Sequence, residues 1–215
     1  MAEAFPKSTF IGYDYHESSI AWAHKAAAKA GLVRRVTFEV ASSTDFPGNG
    51  FDLVACFDCL HDMGDPVGAA RHVRGSLTPD GTWLIVEPFA EDEVEKNLNP
   101  VGRTYYAAST LVCVPASMAH GSPALGAQAG ETRLREVVMG GGFTRFRRAT
   151  QTPSNLILEG RPSERPILAR RAEPDQRRRA RKGRSALSHH KRFIRTRHER
   201  CPPLESAREN RASGR

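Results

Sequence analysis

Between Phe51 and Pro88 the chain reads FDLVACFDCLHDMGDPVGAARHVRGSLTPDGTWLIVEP, and the order of apolar runs and stops there admits few folds. The first run, Phe51 to Phe57, is too short for an ordinary helix and lacks the alternation of a half-exposed strand. It predicts a central parallel strand, buried on both faces. Beyond the polar loop 58–64, Asp65 stands where a helix N-cap accepts backbone N–H groups. Pro66 follows in the first turn, where its missing N–H costs nothing. Val67, Ala70, Val73 or Arg74, and Leu77 recur at helical spacing. The helix is expected to stop in the turn Thr78-Pro79-Asp80-Gly81, with Thr82 to Glu87 forming a second apolar strand. By default such a strand–helix–strand unit is a right-handed crossover in an α/β sheet.

The same rhythm runs upstream. Ser8 to Tyr13 predicts a strand ending at Asp14, followed by a cap at Ser18 or Ser19, an alanine-rich helix to Ala30 and a stop at Gly31. Val36 to Val40 is the next strand. Downstream, Glu131 to Met139 has helical spacing through Leu134, Val137 and Val138 and ends in Gly140-Gly141-Gly142. Segments Phe143 to Arg148 and Asn155 to Glu159 then predict a strand pair closing one edge of the sheet. There is no internal repeat.

Taken in order, IGYDYH, VTFEVASSTDFP, FDLVACFDCLHDMGDP, LTPDGTWLIVEP, GGFTRFRR and NLILEGRP resemble the class I S-adenosylmethionine-dependent methyltransferases, in particular small-molecule enzymes of actinobacterial type. The resemblance covers about residues 3–162. It implies a Rossmann-like α/β sheet, S-adenosylmethionine as cofactor and methyl transfer to a small-molecule acceptor. It also implies site residues. Asp14, at a strand end, matches the acid that accepts hydrogen bonds from the ribose hydroxyls, which a carboxylate with two acceptor oxygens does well. Tyr15 would lay its ring beside the adenine. Ser42 stands where many members carry an aspartate for the adenine amino group, so Ser42 and Ser43 are the carried-over contacts. Phe57, Asp58 and His61 follow the strand that faces the transfer pocket. His61 is the candidate base, since its ordinary pKa lies near neutrality; the other reading is a pocket-lining or helix-capping histidine.

One family signature is missing. The acidic, glycine-rich turn of the form E/D-x-G-x-G-x-G that lies against the cofactor's methionine part does not occur before Asp14. The resemblance places the strand leading into that turn in the middle of the sheet, between the strands ending at Asp14 and Phe57. The expectation is therefore an N-terminally truncated domain with two exposed strand edges, low stability and impaired activity.

Charge divides the chain. Of its 32 Lys+Arg and 24 Asp+Glu, residues 163–215 hold 17 and 6, so the whole net charge of +8 resides in that tail. With so few large apolar side chains the tail cannot bury a core and is expected to be disordered, beside a methyltransferase domain at 1–162. Its basic runs, Arg177 to Arg184 and Lys191-Arg192, leave two readings open. One is nonspecific attachment to nucleic acid or an anionic surface. The other is a tail without selected function.

Cys56 and Cys59 form a C-x-x-C, but within a strand pattern rather than at a helix N-terminus, and no second pair supplies four zinc ligands. No metal is expected. The four cysteines give no disulfide framework, which reads as a reduced, cytoplasmic protein. Segment 87–131 carries Tyr105, Tyr106, Leu111, Val112 and Met118, and is expected to cover a partly apolar acceptor. A nicotinamide oxidoreductase would share the sheet but requires a dinucleotide fingerprint absent here. The remaining alternative is a noncatalytic, ligand-sensing regulator derived from a methyltransferase. No apolar span of membrane length occurs, and oligomeric state is left open.

Overall fold

The computed structural model describes residues 1–119, 124–162 and 191–196. β1 (Thr9–Asp14) leads to α1 (Glu17–Lys29), then β2 (Val36–Val40), β3 (Phe51–Phe57), α2 (Pro66–Ser76) and β4 (Leu77–Pro88). There follow α3 (Pro100–Ala108), a π-helical stretch Ser109–Cys113, α4 (Val114–Ala119), α5 (Gly130–Gly140), the hairpin strands β5 (Arg145–Gln151) and β6 (Asn155–Arg161), and β7 (Lys191–Thr196). Among the described residues seven strands form one sheet in the order β2-β1-β7-β3-β4-β6-β5, with β6 and β5 antiparallel to their neighbours.

Local chemistry explains most boundaries. Asp65 caps α2 by accepting the Gly68 N–H at 2.7 Å, with Pro66 in the first turn. The α1 cap is His16, whose Nδ1 accepts from the Ser19 N–H, rather than Ser18 or Ser19; the helix thereby starts earlier than their hydroxyls suggested. Gly31 ends α1 with φ 68°, a conformation that glycine adopts without strain. The expected turn at Thr78 to Gly81 does not interrupt β4. It is a bulge within one strand, since Phe51 pairs with Leu77 while Leu53 pairs with Thr82.

The two faces of the sheet are covered unequally. Val54, Cys56, Trp83, Ile85 and Leu158 join Ala70 and Val73 of α2 and Leu134, Val137 and Val138 of α5 in the main core. On the opposite face Phe10 and Ala55 are buried, but Leu53, Phe57 and Leu84 only partly. The burial on both faces expected of β3 and β4 is thus realised fully on one.

Between β1 and β3, where the resemblance puts the cofactor strand, lies β7, parallel to both. Ile11 is in register with Ile194, Gly12 and Ala55 with Arg195, and Cys56 with Thr196. Without these six residues each flanking strand would present a row of N–H and C=O groups to solvent, which a backbone of any sequence can satisfy. The run Arg177 to Arg184 lies outside the described residues, while Lys191-Arg192 opens β7.

Candidate functional site

The parallel strands β1, β2 and β3 deliver the expected cofactor residues to one edge of the sheet. Asp14 closes β1 with only 6% of its surface exposed. Its Oδ1 accepts the His16 N–H at 2.9 Å, and its carbonyl accepts the Ala41 N–H at 3.0 Å, tying the ends of β1 and β2 together. Asp14, Gly12, Phe38 and Phe57 border a cavity of about 950 Å³ between the sheet and α1, whose wall is Ile20, Ala23 and Ala27.

The remaining expected contacts surround this edge without lining the cavity. Tyr15 is 52% exposed. Ser42 is exposed and its hydroxyl meets that of Thr44 at 3.2 Å, while Ser43 is half-buried. Their loop is held from below: Tyr13 donates its hydroxyl to the Pro47 carbonyl at 2.7 Å and stacks on Phe46. Burial, with Glu39 nearby, pushes the Tyr13 pKa up to about 12, so this tether stays a donor. Asp58, in the left-handed region with φ 49°, accepts from Asn155 Nδ2 at 3.1 Å, and its N–H donates to the Val86 carbonyl.

His61 lies on the other, well-covered face, in a 3₁₀ turn (Leu60–Asp62) just after β3. Its Nδ1 is hydrogen-bonded to Oε2 of Glu87, at the end of β4. Oε1 of the same carboxylate accepts the Leu60 N–H at 2.8 Å and the Cys59 N–H at 3.2 Å. The other ring nitrogen, Nε2, is 3.3 Å from Asp62 Oδ1. Burial alone lowers the imidazole pKa, but Glu87, with Cys113 and Asp62, outweighs it and raises the value to about 11. Asp62 and Cys113 offer their ligand atoms to the same small volume as His61.

Cys113 arrives from the segment expected to cover an acceptor. That segment is fastened by Ser117 Oγ donating to the Met63 carbonyl at 3.2 Å and by the Tyr105 hydroxyl donating to the Ser154 carbonyl at 3.0 Å. Its expected apolar lining is only partly inward: Leu111, Val112 and Met118 are exposed. Cys56 and Cys59 are buried free thiols, with Trp83 Nε1 donating to Cys56 Sγ at 3.4 Å. Among the described residues no helix is long and apolar enough to cross a membrane.

The structure thus brings Asp14 and Phe57 to one cavity and places His61 apart from them. Sequence reasoning missed Glu87 and the meeting of Asp62 with Cys113. The signal for Glu87 was a lone acid ending the apolar run TWLIVE, since a carboxylate that is 1% exposed requires partners.

Comparison with known proteins follows the same lines. The family described as "Methyltransferase domain" matches residues 1–136. The uncharacterized methyltransferase YcgJ of Bacillus subtilis is 32% identical over 85 residues, which are 39% of this chain and 33% of that protein. PigF, solved with S-adenosylhomocysteine, superposes with a TM-score of 0.58 at 16% identity, over 74% of this chain and 45% of PigF. An O-methyltransferase family 2 protein from Planctomyces limnophilus, solved with apigenin, gives a TM-score of 0.56 at 15% identity, over 75% and 45% of the two chains. The chain therefore spans about a third of the curated relative and under half of these structural neighbours.

Proposed function

The chain belongs to the methyltransferase-domain family, and from that premise we propose that it transfers a methyl group from S-adenosylmethionine to a small-molecule acceptor. The observation that carries this reading is Asp14: a nearly buried carboxylate at the carboxyl end of a parallel strand, bordering a large and mainly apolar cavity. A carboxylate so placed fits a ribose diol. The cofactor would rest with its ribose on Asp14, its adenine between Tyr15 and the Ser42–Ser43 loop, and Phe57 and Asp58 toward its reactive end. Bound there, it supplies a sulfonium methyl with a good leaving group.

The chain's own contribution is orientation and exclusion of water, both functions of the cover formed by α3 and α4. His61 is the group beneath that cover suited to hold charge or a proton at an acceptor. Because Glu87 fixes Nδ1, only Nε2 can serve it.

Calorimetry with S-adenosylhomocysteine tests the reading. The wild-type chain is expected to bind it, and Asp14→Ala to abolish binding. Tight binding untouched by Asp14→Ala overturns the ribose assignment. His61→Gln is expected to lower kcat while leaving cofactor affinity in place. Binding without turnover across a panel of hydroxylated aromatics would favour the noncatalytic, ligand-sensing alternative.

A further inference from the structure

Three different ligand types converge beneath the cover helices. A ring nitrogen of His61, a carboxylate oxygen of Asp62 and Sγ of Cys113 all lie within 4.8 Å of one another, and with Nδ1 bonded to Glu87 the nitrogen left to ligate is Nε2. We propose that these three side chains bind a divalent transition-metal ion of the zinc type, leaving one coordination position open. The proposal rests on this geometry and is independent of the cofactor assignment at Asp14; an ion on Nε2 takes the place of the proton there, so with metal bound His61 acts as a ligand and not as a base.

The spacing already suits the ion. Two nitrogen or oxygen ligands, each about 2.0–2.1 Å from a tetrahedral zinc, stand about 3.3–3.4 Å apart. His61 Nε2 and Asp62 Oδ1 are 3.3 Å apart. A thiolate about 2.3 Å from a tetrahedral zinc stands about 3.6 Å from the nitrogen and oxygen ligands, so Cys113 Sγ must close in by no more than about 1.2 Å, within reach of a side-chain rotation. Nitrogen, oxygen and sulfur together select zinc, or cobalt as its spectroscopic substitute, over the hard cations that prefer all-oxygen sites.

The surroundings are those of a ligating histidine. Its other nitrogen is fixed by a carboxylate, Glu87, which is itself anchored by two backbone N–H groups. That arrangement orients the ring and raises its basicity toward a metal. Cys113 ends the π-helical stretch Ser109–Cys113, an irregularity of the kind that recurs at functional sites. Two ligands belong to the turn after β3 and the third to the cover, so the ion would pin one to the other. Its open position would take water or an oxygen of a bound molecule.

The test uses the full chain, stripped of metal with a chelator, kept reduced and titrated with Co²⁺. One equivalent is expected to produce the visible d–d absorption of tetrahedral cobalt together with a thiolate-to-cobalt charge-transfer band, both removed by Zn²⁺. Cys113→Ser is expected to abolish the charge-transfer band with its circular dichroism unchanged. Asp62→Asn should weaken Co²⁺ binding, and Glu87→Gln should weaken it about 10- to 100-fold. Cys56→Ser, Cys59→Ser and Cys201→Ser should leave the band intact. A wild-type chain without the band, or a band that survives Cys113→Ser, overturns the proposal. S-adenosylhomocysteine binding, measured on the same preparation, keeps failure here separate from failure at Asp14.

Discussion

Glu87 shows how much one side chain can organise and how little it advertises. Its carboxylate, 1% exposed, serves the His61 ring and the N–H groups of Cys59 and Leu60. Glu87→Ala leaves the buried His61 ring and two backbone donors without their carboxylate, so a loss of about 3–5 kcal/mol is expected in urea unfolding. A loss below about 1 kcal/mol would mean that water replaces the carboxylate. In one dimension Glu87 is 26 residues from His61, and only the parallel register of β3 and β4 brings them together. Asp14 and Asp65, by contrast, were legible because each acts within its own segment: one ends a strand, the other caps the helix that follows it. Leu111 and Met118 misled because an apolar helix face carries no label saying which side another element will cover.

Among the elements, α5 is held by chemistry from outside its own sequence. Its N-cap position, Ala129, makes no side-chain bond, and the task falls to Asp92, which accepts the Thr132 N–H at 2.9 Å and its hydroxyl at 2.6 Å. Those bonds from Thr132 hold the Asp92 carboxyl below its ordinary value of 3.8. A carboxyl depressed in the folded state stabilises fully above its unfolded pKa and loses that contribution as pH falls through the folded one. Asp92→Ala should therefore lower the unfolding midpoint at neutral pH, with the difference from wild type shrinking once pH drops below about 3.8. A difference that stays constant under acid would deny the charge its role. At the far end of α5, a Cβ on Gly141 would lie 2.4 Å from the Ala70 Cβ of α2. Gly141→Ala is expected to destabilise by about 1–3 kcal/mol through overpacking, read as a fall in the urea midpoint. The sequence announced α2 and α5 by periodicity and stop residues. It did not announce that β4 absorbs its Pro-Asp-Gly turn as a bulge, because a turn signature and a bulge use the same residues.

For the whole molecule, the decisive element is β7. A basic segment, KRFIRT, fills the middle of a parallel sheet, a place where continuous apolar runs are the rule. Binary pattern therefore gave no hint of it, although the slot between the strands ending at Asp14 and Phe57 was legible from the family order. Ile194→Pro tests the pairing, since proline cannot donate to a ladder with neighbours on both sides. The variant is expected to unfold at a lower urea concentration and with a smaller slope, reflecting less surface buried in the folded state. An unfolding curve identical to wild type would show that the sheet holds without this strand, and would also count against the low stability expected of a domain with open edges. Strand order further fixes a timetable. Ribosomes release the chain from its amino end, so β2-β1 and β3-β4-β6-β5 emerge as two half-sheets, and the piece that joins them is the last of the seven to leave the exit tunnel. Nascent chains stalled before residue 191 are thus expected to be captured by holding chaperones and cut readily by protease, and release past residue 196 to relieve both.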